Sequence, residues 1–284
     1  MNKKKQNLFI FENSNNFNYE KNKSNLNISF NRIAFIFFVF LTLAFIFSFK
    51  AIYLGSLENN IYNKKKKAEK GNISMLLLLF IGSVLFWAGF DQGGSSLNLF
   101  AKDYTDLFIF GWEMPATFLQ VANPLMVVIF APFFAAFWMN LGRRNLDLET
   151  PQKFALGCFL MAIGFFVMIF GVEVAIESEK AGVKWLLLTY LFHTLGELCL
   201  SPVGLSATAK YSPKRYMGQM FGLWFLASAI GGVLAGLLGG DAMSDGLSSI
   251  QPIFAFMIQY YLIIAVILVA LSFVIKAKDV NQEE

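Results

Sequence analysis

Residues 186–240 read LLLTYLFHTLGELCLSPVGLSATAKYSPKRYMGQMFGLWFLASAIGGVLAGLLGG, membrane-grade apolar sequence with one acid, Glu197, in its midst. A carboxylate near the centre of a bilayer costs about 2.5–3.5 kcal/mol on insertion scales, so Glu197 must face a partner or a watery cavity. Such residues mark transport or proton pathways, or a structural pairing with another helix.

The whole chain has the same character. Of 284 residues, 56% are hydrophobic and 15% charged, with 33 Phe, too apolar a balance for a soluble domain. The formal net charge of +4 sits in short Lys/Arg runs between apolar segments, as cytoplasmic loops require, so nucleic acid is excluded as a partner. Cys158 and Cys199 lie inside apolar segments without paired spacing or a His cluster. They read as small buried hydrophobes, with no disulfide framework, metal or cofactor implied.

Residues 1–30 are Asn- and Lys-rich without an apolar period, which predicts a disordered polar arm. Residues 31–57 hold an apolar run long enough to cross about 30 Å of hydrocarbon, with Arg32 and Lys50 able to snorkel near its ends. A basic cytoplasmic linker at 58–71 precedes a six-helix bundle over 72–276 and a cytoplasmic tail at 277–284. The six helices are expected near 72–100, 114–139, 152–175, 183–210, 214–239 and 252–276. Lys64 to Lys67, Arg143 and Arg144, Lys210 with Lys214 and Arg215, and Lys276 with Lys278 fall on alternate loops, while Asp103, Asp106, Glu113, Glu173, Glu177, Glu179, Asp241 and Asp245 fill the others. The positive-inside rule therefore puts the Lys64 run and the C-terminus in the cytoplasm. The same rule leaves the lysine-bearing arm outside if the helix at 31–57 spans.

Gly218, Gly222, Gly232, Gly236 and Gly240 recur at four-residue spacings, which predicts a face where a neighbouring backbone comes close. Pro202 predicts a kink or partial unwinding just after Glu197. Asp91 precedes GGSS, where the helix should loosen, and is either functional or a carboxylate at a watery helix end. His193 lies four residues before Glu197, a spacing that suits either a proton relay or a structural partner. Asn123, Trp224 and Ser228 are further polar or amphipathic groups able to face a cavity.

Enzyme signatures are missing. GLSAT at 204–208 lacks the final glycine of a nucleophile elbow, Gly93 and Gly94 form no phosphate loop, and one His supports no metal chemistry.

FWAGFDQGGSSLNLFAKDYTD at 86–106, FLQVANPLMVVIFAPFFAAFW at 118–138 and HTLGELCLSPVGLSATAKYSPKRYMGQMFGLWFL at 193–226 closely resemble the seventh, eighth, and tenth to eleventh helices of the proton-dependent oligopeptide transporter family. That family is a branch of the major facilitator superfamily, and the resemblance covers roughly 50–276. It implies an all-α polytopic membrane protein, the C-terminal six-helix bundle of a major facilitator fold, with 31–57 as the second arm of an inserted hairpin. It also implies proton-coupled uptake of di- and tripeptides by alternating access at the plasma membrane. Glu197 matches an acid that binds the peptide amino terminus and couples to protons, Asp91 a family glutamate shortened by a methylene, and Asn123, Trp224 and Ser228 positions lining the peptide site. NLGRR at 140–144 looks like a worn copy of the superfamily's cytoplasmic loop motif. The family's first six helices, with their ExxER-type segment, have no counterpart in the chain, so an N-terminal half on another chain is the expected partner. The alternative is a non-transporting remnant or structural membrane subunit.

Overall fold

A computed structural model describes residues 63–109, 111–240 and 246–275. The chain divides into two units, Met1–Ala44 and Phe45–Glu284. The polar arm at 1–30, the helix expected at 31–57 and the tail at 277–284 lie outside the described residues.

Six helices in this range are long and apolar enough to cross a membrane, and their spans, Asn72–Asp103, Ala116–Arg143, Thr150–Ser178, Lys184–Tyr211, Lys214–Gly239 and Ile250–Val274, fall within a few residues of expectation. Helix α1 (Asn63–Phe90) starts inside the expected linker, so Lys64 to Lys67 are helical. It ends in a 3-10 turn at Asp91–Gly94, and α2 (Ser96–Asp103) completes the span. Gly93 and Gly94 explain the break, because two glycines in succession raise the entropy lost on forming a helix. Pro202, by contrast, interrupts nothing. Helix α5 (Lys184–Tyr211) runs continuously through it, so the unwinding expected after Glu197 occurs instead beside Asp91.

Two small pairings tie the loops on one side: β1 (Thr105–Asp106) lies parallel to β4 (Ala181–Gly182), and β2 (Phe108–Ile109) pairs antiparallel with β3 (Trp112–Glu113). Gly111, at φ +81°, makes that tight turn. Helix α3 (Ala122–Arg143) follows a 3-10 turn at Ala116–Val121. Helix α4 (Thr150–Ser178) starts with a reciprocal cap: Glu149 accepts from the backbone while Gln152 reaches back to the Glu149 amide at 3.0 Å, and Pro151 sits in the first turn. Helices α6 (Met217–Gly240) and α7 (Leu247–Val274) close the bundle.

Helix α4 is the centre, packed along α5 on one side and α7 on the other, while α1 pairs with α6. The α4–α5 seam rests on a row of glycines seven residues apart. A Cβ on Gly157 would lie 2.9 Å from the Gly196 carbonyl oxygen, one on Gly164 would run into the His193 ring, and one on Gly171 would lie 3.0 Å from Trp185 Cβ. These glycines therefore set the distance between the helices. Across the bundle, the Tyr260 hydroxyl donates to the Leu85 carbonyl at 3.0 Å and the Tyr261 hydroxyl to the Phe86 carbonyl at 2.6 Å. Both bonds hold α7 to the last turns of α1.

The glycine face on α6 differs from the expected one. Gly218, Gly222 and Gly236 have open space where a side chain would go, whereas a Cβ on Gly231 would lie 2.8 Å from the Val84 carbonyl oxygen and one on Gly239 2.8 Å from Ser95 Cβ. The seam is thus Gly231, Ala235 and Gly239, one residue round from the row that spacing suggested. Helix α3 has no buried residue and packs mainly against α5, with Lys153 of α4 over its Trp138 ring at 4.9 Å; Val128 is 73% exposed.

A candidate carboxylate site at a helix break

Asn123 stands in the first turn of α3, held by the 3-10 turn before it and by Pro124 after it. Its Nδ2 donates to Glu197 Oε2 at 3.1 Å and to Thr194 Oγ1 at 3.0 Å, both on α5. Glu197 is half-buried at mid-helix, so the amide replaces part of the water that this carboxylate gives up. Asp91 is the first residue past the end of α1 and is also half-buried. Its carboxylate rests on α6 at Gly232, with Oδ2 2.9 Å from the place a Cβ would take. Asp91 shares the lining of one cavity with Asn123, the residue that holds Glu197. Three helices thus bring Asp91, Asn123 and Glu197 to one locality.

Beside them opens a cavity of about 180 Å³ whose lining includes Asp91, Gly93, Asn123, Tyr190 and His193. Tyr190 and His193 are buried, and the Tyr190 hydroxyl and His193 Nε2 have no partner among the described residues. The His193 ring leans on Phe165 at 4.7 Å and on Gly164. No hydrogen bond joins it to Glu197 among the described residues, although the two are one turn apart. Helix α4 has claimed the imidazole.

The structure does not bring Trp224 or Ser228 to this cavity. Trp224 is buried over Gly204 and meets Phe80 and Phe154 edge-on, each at 6.2 Å between ring centres. The Ser228 hydroxyl donates to the Phe225 carbonyl of its own helix at 2.8 Å. A larger cavity of about 480 Å³ lies at the far ends of α3 and α5, between Trp138, Lys153 and Lys210, and holds none of the expected site residues. There Lys153 pairs with Asp147 at 2.8 Å. No group of three or more His, Cys, Asp or Glu able to hold a metal occurs among the described residues.

Sequence reasoning passed over Thr194 and Gln92. Thr194, three residues before Glu197, lies on the same helical face, and Gln92 is a buried amide next to Asp91. A polar residue adjoining an acid within an apolar run was the available signal.

The chain is 37% identical over 196 residues to "Peptide transporter YePEPT" of Yersinia enterocolitica, covering 68% of this chain and 38% of that protein. It is 35% identical over 170 residues to "Dipeptide and tripeptide permease B" of Salmonella typhimurium, covering 60% of this chain and 35% of that one. Among solved structures, a peptide transporter POT in complex with sulfate superposes with a TM-score of 0.73 at 29% identity, covering 86% of this chain and 47% of that chain. The chain therefore spans under two-fifths of these curated relatives and about half of the solved one. The family model described as the POT family matches residues 16–241. With most of its length matched by that model, the chain belongs to the POT family.

Proposed function

We propose that this chain is the C-terminal half of a proton-coupled di- and tripeptide symporter that works by alternating access together with an N-terminal six-helix half. The observation that carries the reading is the Asn123–Glu197 hydrogen bond beside Asp91, at the one place where α1 is broken. An amide-held carboxylate can accept a peptide ammonium, and a second carboxylate lining the adjoining cavity can hold the coupled proton. Glu197 and Asn123 bind the peptide amino terminus, and Glu197 and Asp91 take part in proton coupling. His193 acts on the proton step through the cavity it shares with Asp91, while Trp224 and Ser228 meet substrate in a conformation that opens α6 from α5. The protein lies in the plasma membrane with the Lys64 run and the C-terminus in the cytoplasm. Its partner half supplies the facing wall of the site.

Reconstitution in liposomes under a proton gradient, with a labelled dipeptide, tests the proposal. Uptake is expected with a matching N-terminal half and not with this chain alone, and Glu197→Gln is expected to abolish it. Uptake by the chain alone would overturn the need for a partner. No uptake with the half present would favour the second reading, a non-transporting membrane subunit.

A further inference from the structure

Gln92 lies within the break of α1 and is fully buried. Its Nε2 donates to the Ala235 carbonyl of α6 at 3.0 Å and to the Ala88 carbonyl of α1 at 3.4 Å. Its Oε1 accepts from Ser95 Oγ at 2.9 Å and from Ser96 Oγ at 2.7 Å. Two donors and two lone pairs are all that a glutamine amide offers, so this side chain is satisfied in full. Its contacts join three pieces of chain: the end of α1, the start of α2 and the last turns of α6. Gly239 makes room, since a Cβ there would lie 3.0 Å from Gln92 Oε1.

Asp91 is the next residue back, and it touches α6 at Gly232, one turn before Ala235. A 3-10 turn containing two glycines has little stiffness of its own. What stops it from turning about the chain is the amide anchored on α6. We propose that Gln92 is a positioning residue, a staple that fixes the helix break to α6 and thereby holds the Asp91 carboxylate toward Asn123 and Glu197. The role rests on the transport reading for its use, but the staple exists or fails independently of transport. It also ties Asp91 to α6, so that the acid travels with α6 rather than with the free end of α1.

The test is labelling of the full chain in lipid nanodiscs with the hydrophobic carbodiimide dicyclohexylcarbodiimide, with rates at Asp91 and Glu197 read separately by peptide mass mapping. Gln92→Met keeps the volume and removes all four bonds. The Asp91 rate is expected to rise about fivefold, the factor that corresponds to roughly 1 kcal/mol, with Glu197 unchanged. An unchanged Asp91 rate overturns the proposal, and so does a rise at both acids together, which is general loosening. Should Gln92→Met not fold, Gln92→Asn, one methylene too short to reach Ala235, carries the same test. No peptide is present, so a negative uptake experiment leaves this outcome untouched.

Discussion

Asn123 and Glu197 illustrate why a membrane site can be read residue by residue. The amide has two possible acceptors on α5, and both are used. Asn123→Leu strands the Glu197 carboxylate without that donor and is expected to lower stability by about 1–3 kcal/mol, seen as an earlier thermal unfolding transition. Asn123→Leu combined with Glu197→Met should lose less than Asn123→Leu alone, because removing both partners leaves no stranded charge. Glycines at neighbouring positions on α6 make a second contrast. Gly232→Ala meets only the flexible end of Asp91, so the unfolding temperature should hold while the carbodiimide rate at Asp91 changes. Gly231→Ala meets the Val84 carbonyl and the Ala88 amide nitrogen of α1 and should destabilise, whereas Gly236→Ala, with open space around it, should do neither.

At the scale of elements, the bundle is built from helices that are apolar on every side, so close approach depends on where side chains are missing. Gly157 and Gly196 face each other across α4 and α5 with backbone on both sides of the contact. Overpacking at such a place typically costs about 1–3 kcal/mol, and Gly157→Ala should fall in that range by thermal unfolding in detergent. Gly171→Ala should also cost stability, because its nearest neighbour is Trp185 Cβ at 3.0 Å, an atom fixed to the α5 backbone that has to shift by a few tenths of an ångström. The break in α1 is held differently, by Gln92 within the chain and by Tyr260 and Tyr261 from α7. Polar bonds to backbone replace the packing that an interrupted helix loses.

For the whole molecule, α3 is the element whose surroundings lie mostly outside this chain's own core. Its contact with α5 includes Asn123, and up to Met139 the rest of its surface is apolar: Phe133 is 67% exposed and Leu125 58%. Lipid or a partner half can each cover such a surface. Apolar exchanges there, such as Val128→Leu, are expected to change the stability of the chain by no more than about 0.5 kcal/mol. If a partner half occupies that face in the working transporter, the same substitutions will lower uptake while leaving the unfolding transition in place. That pair of measurements separates an interface from a lipid-facing helix.

The sequence by itself determined the class of protein, the six spans, their limits to within a few residues, the weak point at Gly93–Gly94 and the identity of the acids. All of these follow from quantities that add up along the chain, such as transfer free energy, backbone entropy and loop charge. The family resemblance was likewise legible in short motifs around Asp91, Asn123 and Glu197. Only the tertiary structure decided which way each helix faces. It moved the α6 seam to Gly231, Ala235 and Gly239, turned His193 toward Gly164, buried Trp224 over Gly204, kept α5 helical through Pro202 and made Gln92 the link between α1 and α6. The physical reason is that a helix apolar on all sides carries no stripe to mark its inner face. Its rotation is set by the shapes of neighbours distant in sequence.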